Sequence, residues 1–157
     1  MTTQRMDLSD RKGSLIGKAH MAGEPRGLYV DSTKKQKLYG FLNRGREHVL
    51  VDMSGQILAT IRQSPGIGLA RVSLTHFTFE LPGGAQFTLR KGEVMRFDLV
   101  EPTGLAIAQL QVMPGSRTQS YELAWSGSRS PREQLALTLC TAKLVLDHAE
   151  LSDMHRL

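Results

Sequence analysis

Short runs of apolar residues, alternating or continuous and each closed by Gly, Pro, Asp or Asn, fill the chain from about Ser14 to Trp125. Leu28, Tyr29 and Val30 are followed by Asp31-Ser32-Thr33, and residues 37–42 by Asn43-Arg44-Gly45. Residues 49–51 lead through Asp52-Met53-Ser54-Gly55 into residues 57–61. An Asp side chain can accept from the backbone two residues on, and Gly takes a positive φ without steric cost, so these breaks read as hairpin turns. Residues 72–81 keep a period of two, with Val72, Leu74, His76, Thr78 and Glu80 on one parity; Pro82-Gly83-Gly84 then turns the chain into residues 87–90. Residues 94–100 and 105–112 flank a turn at Glu101-Pro102-Thr103-Gly104, and residues 119–125 close the series. About ten to twelve strands at a spacing of about 8 to 12 residues predict an antiparallel sandwich or barrel.

One stretch echoes another. Val51-Asp52-Met53-Ser54-Gly55 with residues 56–61 aligns on Val100-Glu101-Pro102-Thr103-Gly104 with residues 105–110. Both read Val, acid, any residue, hydroxyl, Gly, then aliphatics around an Ala. A looser third copy runs from Val30-Asp31 to Leu38. The expectation is a repeated hairpin corner whose acid closes the turn and whose Gly supplies the backbone conformation.

The pattern changes after Ser126-Gly127-Ser128-Arg129. Ser130 is a helix cap, Pro131 suits the first helical position, and Glu133 completes a capping box. The apolar residues that follow, from Leu135 to Leu146, point in nearly every direction on a helical wheel; only Thr138, Thr141 and Lys143 interrupt them. A surface helix would show one stripe. Twelve residues of helix span roughly 18 Å, too short for a bilayer core of about 30 Å. The helix, expected over about residues 131–150, must therefore be surrounded by protein, inside a closed or nearly closed sheet. Cys140 then reads as a small core hydrophobe.

Composition adds limits. The chain has 157 residues, one cysteine and a formal net charge of +5. Its length suits one domain, and a single cysteine forms no intrachain disulfide. Residues 1–13 are polar and read as a flexible tail before one domain over residues 14–157. They hold no apolar run of the signal-peptide kind, so the expected location is cytoplasmic. The positive charge favours acidic partners. No metal-ligand spacing links His20, His48, His76, His148 and His155, and no nucleophile elbow or phosphate-cradling loop is present. The reading is therefore a non-catalytic protein with no implied metal or cofactor.

The densest basic segment is the candidate site. Lys34, Lys35, Lys37, Arg44 and Arg46 lie close together, interleaved with Tyr39 and Phe41. A basic strand with aromatics can sit at a lipid headgroup layer; the alternative is nucleic-acid binding by phosphate contacts and base stacking. Arg90-Lys91 and Arg129 with Arg132 are smaller basic groups.

The hairpins around Asp52 and Glu101, the final strand Tyr121-Glu122-Leu123-Ala124-Trp125 and the apolar helix from Leu135 to Asp147, taken in that order, resemble the tubby-like superfamily. Within it the chain looks most like the LURP-one-related and phospholipid-scramblase-like branch. The resemblance covers about residues 14–151 and rests on pattern and order. It implies an antiparallel barrel of about ten to twelve strands enclosing the helix, and binding to an anionic membrane surface or phosphoinositide through exposed Lys and Arg. The scramblase calcium segment is not matched: residues 125–134 carry Glu133 as their one acid, and Cys140 belongs to the helix.

Overall fold

The computed structural model describes residues 5–9, 15–22, 27–31, 37–64, 74–93, 96–113, 120–126 and 129–147. Eleven strands form one sheet: β1 (Arg5–Ser9), β2 (Leu15–Ala22), β3 (Gly27–Asp31), β4 (Lys37–Arg44), β5 (Glu47–Asp52), β6 (Ile57–Gln63), β7 (Phe77–Glu80), β8 (Gln86–Lys91), β9 (Arg96–Val100), β10 (Ala106–Met113) and β11 (Ser120–Trp125). Each pairs antiparallel with the next in sequence, and one helix, α1 (Pro131–Asp147), follows. The sheet order runs from β1 to β11 without a closing pair among the described residues. The established fold is thus a mainly β, antiparallel meander with a C-terminal helix.

Two elements differ from the sequence reading. Arg5–Ser9, read as part of a polar tail, is β1, with Arg5 opposite His20 and Leu8 opposite Gly17. Met6 and Leu8 alternate with Arg5, Asp7 and Ser9, the period of a strand too short and polar to stand out. Of the strand expected over residues 72–81, the described residues form β7, preceded by a single 3-10 turn at Leu74–His76, while residues 72 and 73 lie outside the described residues. Phe77 and Phe79, on the other parity from Leu74, Thr78 and Glu80, are the buried pair in β7.

The repeated hairpin is present in both copies and has a further copy elsewhere. Gly55 N–H donates to Asp52 O at 3.0 Å while Asp52 N–H donates to Gln56 O at 3.1 Å. Gly104 and Glu101 repeat this with Leu105, at 2.8 and 2.9 Å, and Gly84 and Leu81 with Ala85, at 3.0 and 2.9 Å. In each loop the fourth residue is a glycine at positive φ, +86° for Gly55, +98° for Gly84 and +90° for Gly104. This is a turn closed by a left-handed bulge residue, a geometry that favours Gly. The copy suggested near Val30-Asp31 lies in part outside the described residues.

The acid, however, closes the turn in one copy only. Asp52 Oδ1 accepts from Ser54 N, Ser54 Oγ and Gln56 N at 2.9, 2.7 and 2.9 Å. The longer Glu101 reaches away from its own turn and receives Arg129 instead.

The core lies between the inward face of the sheet and α1. Phe41, Leu50, Ile61, Phe79, Phe87, Leu99 and Leu110 meet Leu137, Leu139, Cys140 and Leu144 there. From residue 139 to 145 no helix residue exceeds 4% exposure. A helix laid on a flat sheet keeps one side in water; over residues 139–145 every described side chain is buried, while Pro131 and Arg132 in the first turn are exposed. The helix touches β6, in the middle of the sheet order, and β1 at its edge. Its hydroxyls are satisfied locally: Thr138 Oγ1 donates to Gln134 O and Thr141 Oγ1 to Leu137 O, at 2.7 and 2.8 Å. Lys143 is buried, with Nζ 5.9 Å from the centre of the Phe41 ring. Burial also pushes the Cys140 thiol well above its usual pKa. The expected capping box is half formed: Glu133 N–H donates to Ser130 Oγ at 3.2 Å, while the Glu133 carboxylate accepts from Arg129 at 3.1 Å.

Candidate functional site

In an antiparallel meander, connections after even-numbered strands share one end of the sheet and those after odd-numbered strands the other. Lys37 opens β4 and Arg44 closes it, which sets their backbones about 23 Å apart at 3.3 Å per residue. The basic segment therefore extends along the whole strand. Arg44 and Arg46 flank the tight β4–β5 turn and are exposed. Lys34 and Lys35 lie outside the described residues. The interleaved aromatics belong to the core: Phe41 is buried and Tyr39 packs against the core cluster.

A second basic group gathers on the outward face of β8 and β9. Arg90 lies directly opposite Asp98 across the β8–β9 ladder, and Arg96 precedes Asp98 by two residues on the same face. Arg90 Nη2 stands 3.6 Å from Asp98 Oδ2, and Arg96 Nε stands 3.6 Å from Asp98 Oδ1. Both distances suit ion pairs but are too long for hydrogen bonds. Arg96 Nε and Asp98 Oδ1 are buried and have no hydrogen-bond partner. Asp98 is 8% exposed, whereas the Arg90 side chain is 54% exposed. The Arg96 guanidinium lies over the Gly92 backbone, where an added Cβ would come within 3.1 Å of Nε. Across the next ladder Gln109 faces Asp98 and Gln111 faces Arg96, and both glutamines are exposed. Sequence reasoning singled out Arg90 and Lys91 but missed Arg96 and Asp98. The signal was the acid of Phe97-Asp98-Leu99-Val100, a charge within an apolar strand.

Two further arginines, Arg129 and Arg62, are held by carboxylates, whereas Arg132 in the first turn of α1 is exposed. Arg129 bonds Glu101 and Glu133, with its guanidinium carbon 4.9 Å above the centre of the Phe87 ring. Arg62 spans Glu47, at 2.8 Å, and Glu80. The hydrogen bond to Glu47, then the Glu80 and Glu47 charges, raise the Arg62 pKa above its usual value. Asp52 is held below the usual carboxylate range, first by the Ser54 hydroxyl and then by the Gln56 amide, with a small contribution from the charge of Arg132.

Among the described residues no group of three or more His, Cys, Asp or Glu could hold a metal ion, and no helix is long and apolar enough to cross a membrane. What the outward basic groups can do chemically is bind anions: Arg offers planar, paired donors that match the oxygens of a carboxylate or phosphate. Comparison with family models, with characterised proteins and with solved structures finds no match.

Proposed function

We propose that this chain is a non-catalytic domain of the tubby-like kind, of the LURP-one-related and scramblase-like branch, that binds anionic phospholipid headgroups at a membrane surface. In this reading the sheet curls into a barrel around α1 and the exposed cations face the lipid. The observation that carries it is the exposure of Arg44, Arg46, Arg90 and Lys91, on β4, the β4–β5 turn and β8, at the sheet end shared by the β4–β5 and β8–β9 connections. Each cation near an anionic surface contributes about 1 kcal/mol, which is screened by salt. The nucleic-acid alternative loses its stacking platform, because Phe41 is buried and Tyr39 packs on the core.

The test is co-sedimentation with phosphatidylcholine vesicles, with and without phosphatidylserine, beside a mobility shift on a single-stranded oligonucleotide at matched salt. Preference for the phosphatidylserine vesicles, falling with salt and weakened in Arg44→Gln and Arg46→Gln, is the expected result. Equal pelleting with both vesicles overturns the reading, and a tighter oligonucleotide shift transfers it to nucleic acid.

A further inference from the structure

We propose that Arg90 and Arg96, braced by Asp98 between them and flanked by Gln109 and Gln111, form a binding site for a phosphate monoester. The inference deepens the anionic-headgroup reading, on which its lipid form rests, by naming residues and a ligand group.

The argument begins with an unbalanced cluster. Two guanidiniums share one buried carboxylate, and neither reaches hydrogen-bond distance through the ion-paired atoms, both at 3.6 Å. Arg96 Nε and Asp98 Oδ1 are left without hydrogen-bond partners although both are buried. These two atoms face each other at 3.6 Å, an ion pair without a hydrogen bond, and a buried pair left in that state calls for a functional explanation. Asp98 sits beneath, at 8% exposure, while Arg90 is open to solvent. That is the arrangement of an orienting acid under two outward donors.

The neighbouring residues complete the donor set. Gln109 and Gln111 face Asp98 and Arg96 from β10 and are exposed, so their amides can donate to a ligand oxygen or accept from its hydroxyl. Lys91 is exposed beside Arg90. Glu93 is 3.9 Å from Arg96 but 86% exposed, so it answers only part of the positive charge. At Gly92 any side chain would crowd the Arg96 guanidinium, since an added Cβ would lie 3.1 Å from Nε and 3.4 Å from Nη2. Two arginine forks on one strand-paired face suit a doubly charged tetrahedral anion with several oxygens better than a single carboxylate.

The probe is inorganic phosphate, titrated into the whole chain at constant ionic strength against chloride and followed by amide chemical shifts. Saturable binding with shifts centred on residues 90, 96, 109 and 111 is expected. Arg90→Lys and Arg96→Lys keep the charge but remove the fork, and should each weaken binding about tenfold. Arg62→Gln removes a charge elsewhere and should leave the affinity unchanged. Arg90 is exposed, so Arg90→Lys tests the proposal even if Arg96→Lys fails to fold. Phosphate that does not saturate, Lys variants that bind like wild type, or an equal loss in Arg62→Gln each overturn it.

A second arm separates the site from the broader reading. Phosphatidylcholine vesicles carrying phosphatidate, competed with free phosphate, report the lipid form. If phosphatidylserine vesicles bind but phosphate does not, this site is refuted and the headgroup reading stands. If phosphate saturates in an Arg90-dependent way and no anionic vesicle binds, the site stands for a soluble phosphate and the membrane reading falls.

Discussion

Arg129 donates to Glu101 across 28 residues of sequence, joining the segment before α1 to the second copy of the repeated hairpin. The same guanidinium reaches Glu133 in the first turn of the helix and lies over Phe87. Glu101 and Asp52 occupy equivalent corners, and one methylene separates their chemistry. The shorter acid folds back on its own turn, whereas the longer one fixes where the helix begins.

That link should be measurable. The Arg129 and Glu101 side chains are each 25% exposed, so the pair is screened less than a surface ion pair. Arg129→Ala should destabilise the protein by about 2 kcal/mol, the scale of a charged hydrogen bond with an added ring contact. A double-mutant cycle with Glu101→Ala, followed by urea unfolding, should show a coupling of about 1 kcal/mol. Additive effects would mean that Arg129 acts through Glu133 and Phe87 alone.

Asp52 makes the first copy of the corner sensitive to acid. Its folded pKa is lowered, chiefly by the Ser54 hydroxyl and then by the Gln56 amide. A depressed carboxylate stabilises the fold above its unfolded pKa, about 3.9, and the contribution is lost as pH falls through the lower folded value. A carboxyl-detected NMR titration should give Asp52 a midpoint below that of an ordinary Asp. The Ser54 and Gln56 amide signals should move with the same midpoint. In Asp52→Asn their acid response should vanish.

What was legible in the sequence was local. Hairpin corners such as Asp52 to Gly55 are set by side-chain reach and by a glycine at one position, so they are visible before any partner is known. The helix start at Ser130 and the all-round apolarity from Leu135 onward are local in the same way. Pairing and facing are not. Lys37 and Arg44 are close in sequence, yet an extended strand carries them to opposite ends. Asp98 meets Arg90 only because β8 and β9 pair in one particular register. Glu101 was expected to close its turn, and only the position of Arg129, reached after two more strands, explains why it does not. β1 was missed because an edge strand does not need a long apolar run.

The repeated corner predicts a graded glycine response. Gly55 and Gly104 have φ of +86° and +90°, with nothing within 4 Å of an added Cβ. Any loss on substitution is then backbone strain and not a clash. Gly55→Ala and Gly104→Ala should each destabilise by about 1 kcal/mol, and Asn, which tolerates the left-handed region better, by less. Thermal unfolding of the four variants checks the order. Equal losses for Ala and Asn would show that the positive φ is not what limits these positions.

The buried stretch of α1 makes the strongest demand. Leu139 and Cys140 have 0% exposure, so each is surrounded by protein. Leu139→Ala should destabilise by about 3 kcal/mol through lost burial and the remaining cavity. Leu139→Asp places an unpaired charge there and should abolish soluble folding, since its effect is on the order of the whole stability. Cys140 gives an independent readout that leaves the core intact. Its folded thiol pKa is raised by burial, so the folded state holds a proton that the unfolded state releases above about pH 8.5. Stability is unaffected below that pH and falls as pH rises beyond it, a slope that Cys140→Ala should remove. In the native protein a thiol reagent should label Cys140 only as fast as the chain opens, and urea should accelerate labelling in step with unfolding. Rapid native labelling, or a folded Leu139→Asp with an unchanged melting temperature, would show that this side of α1 is open to water.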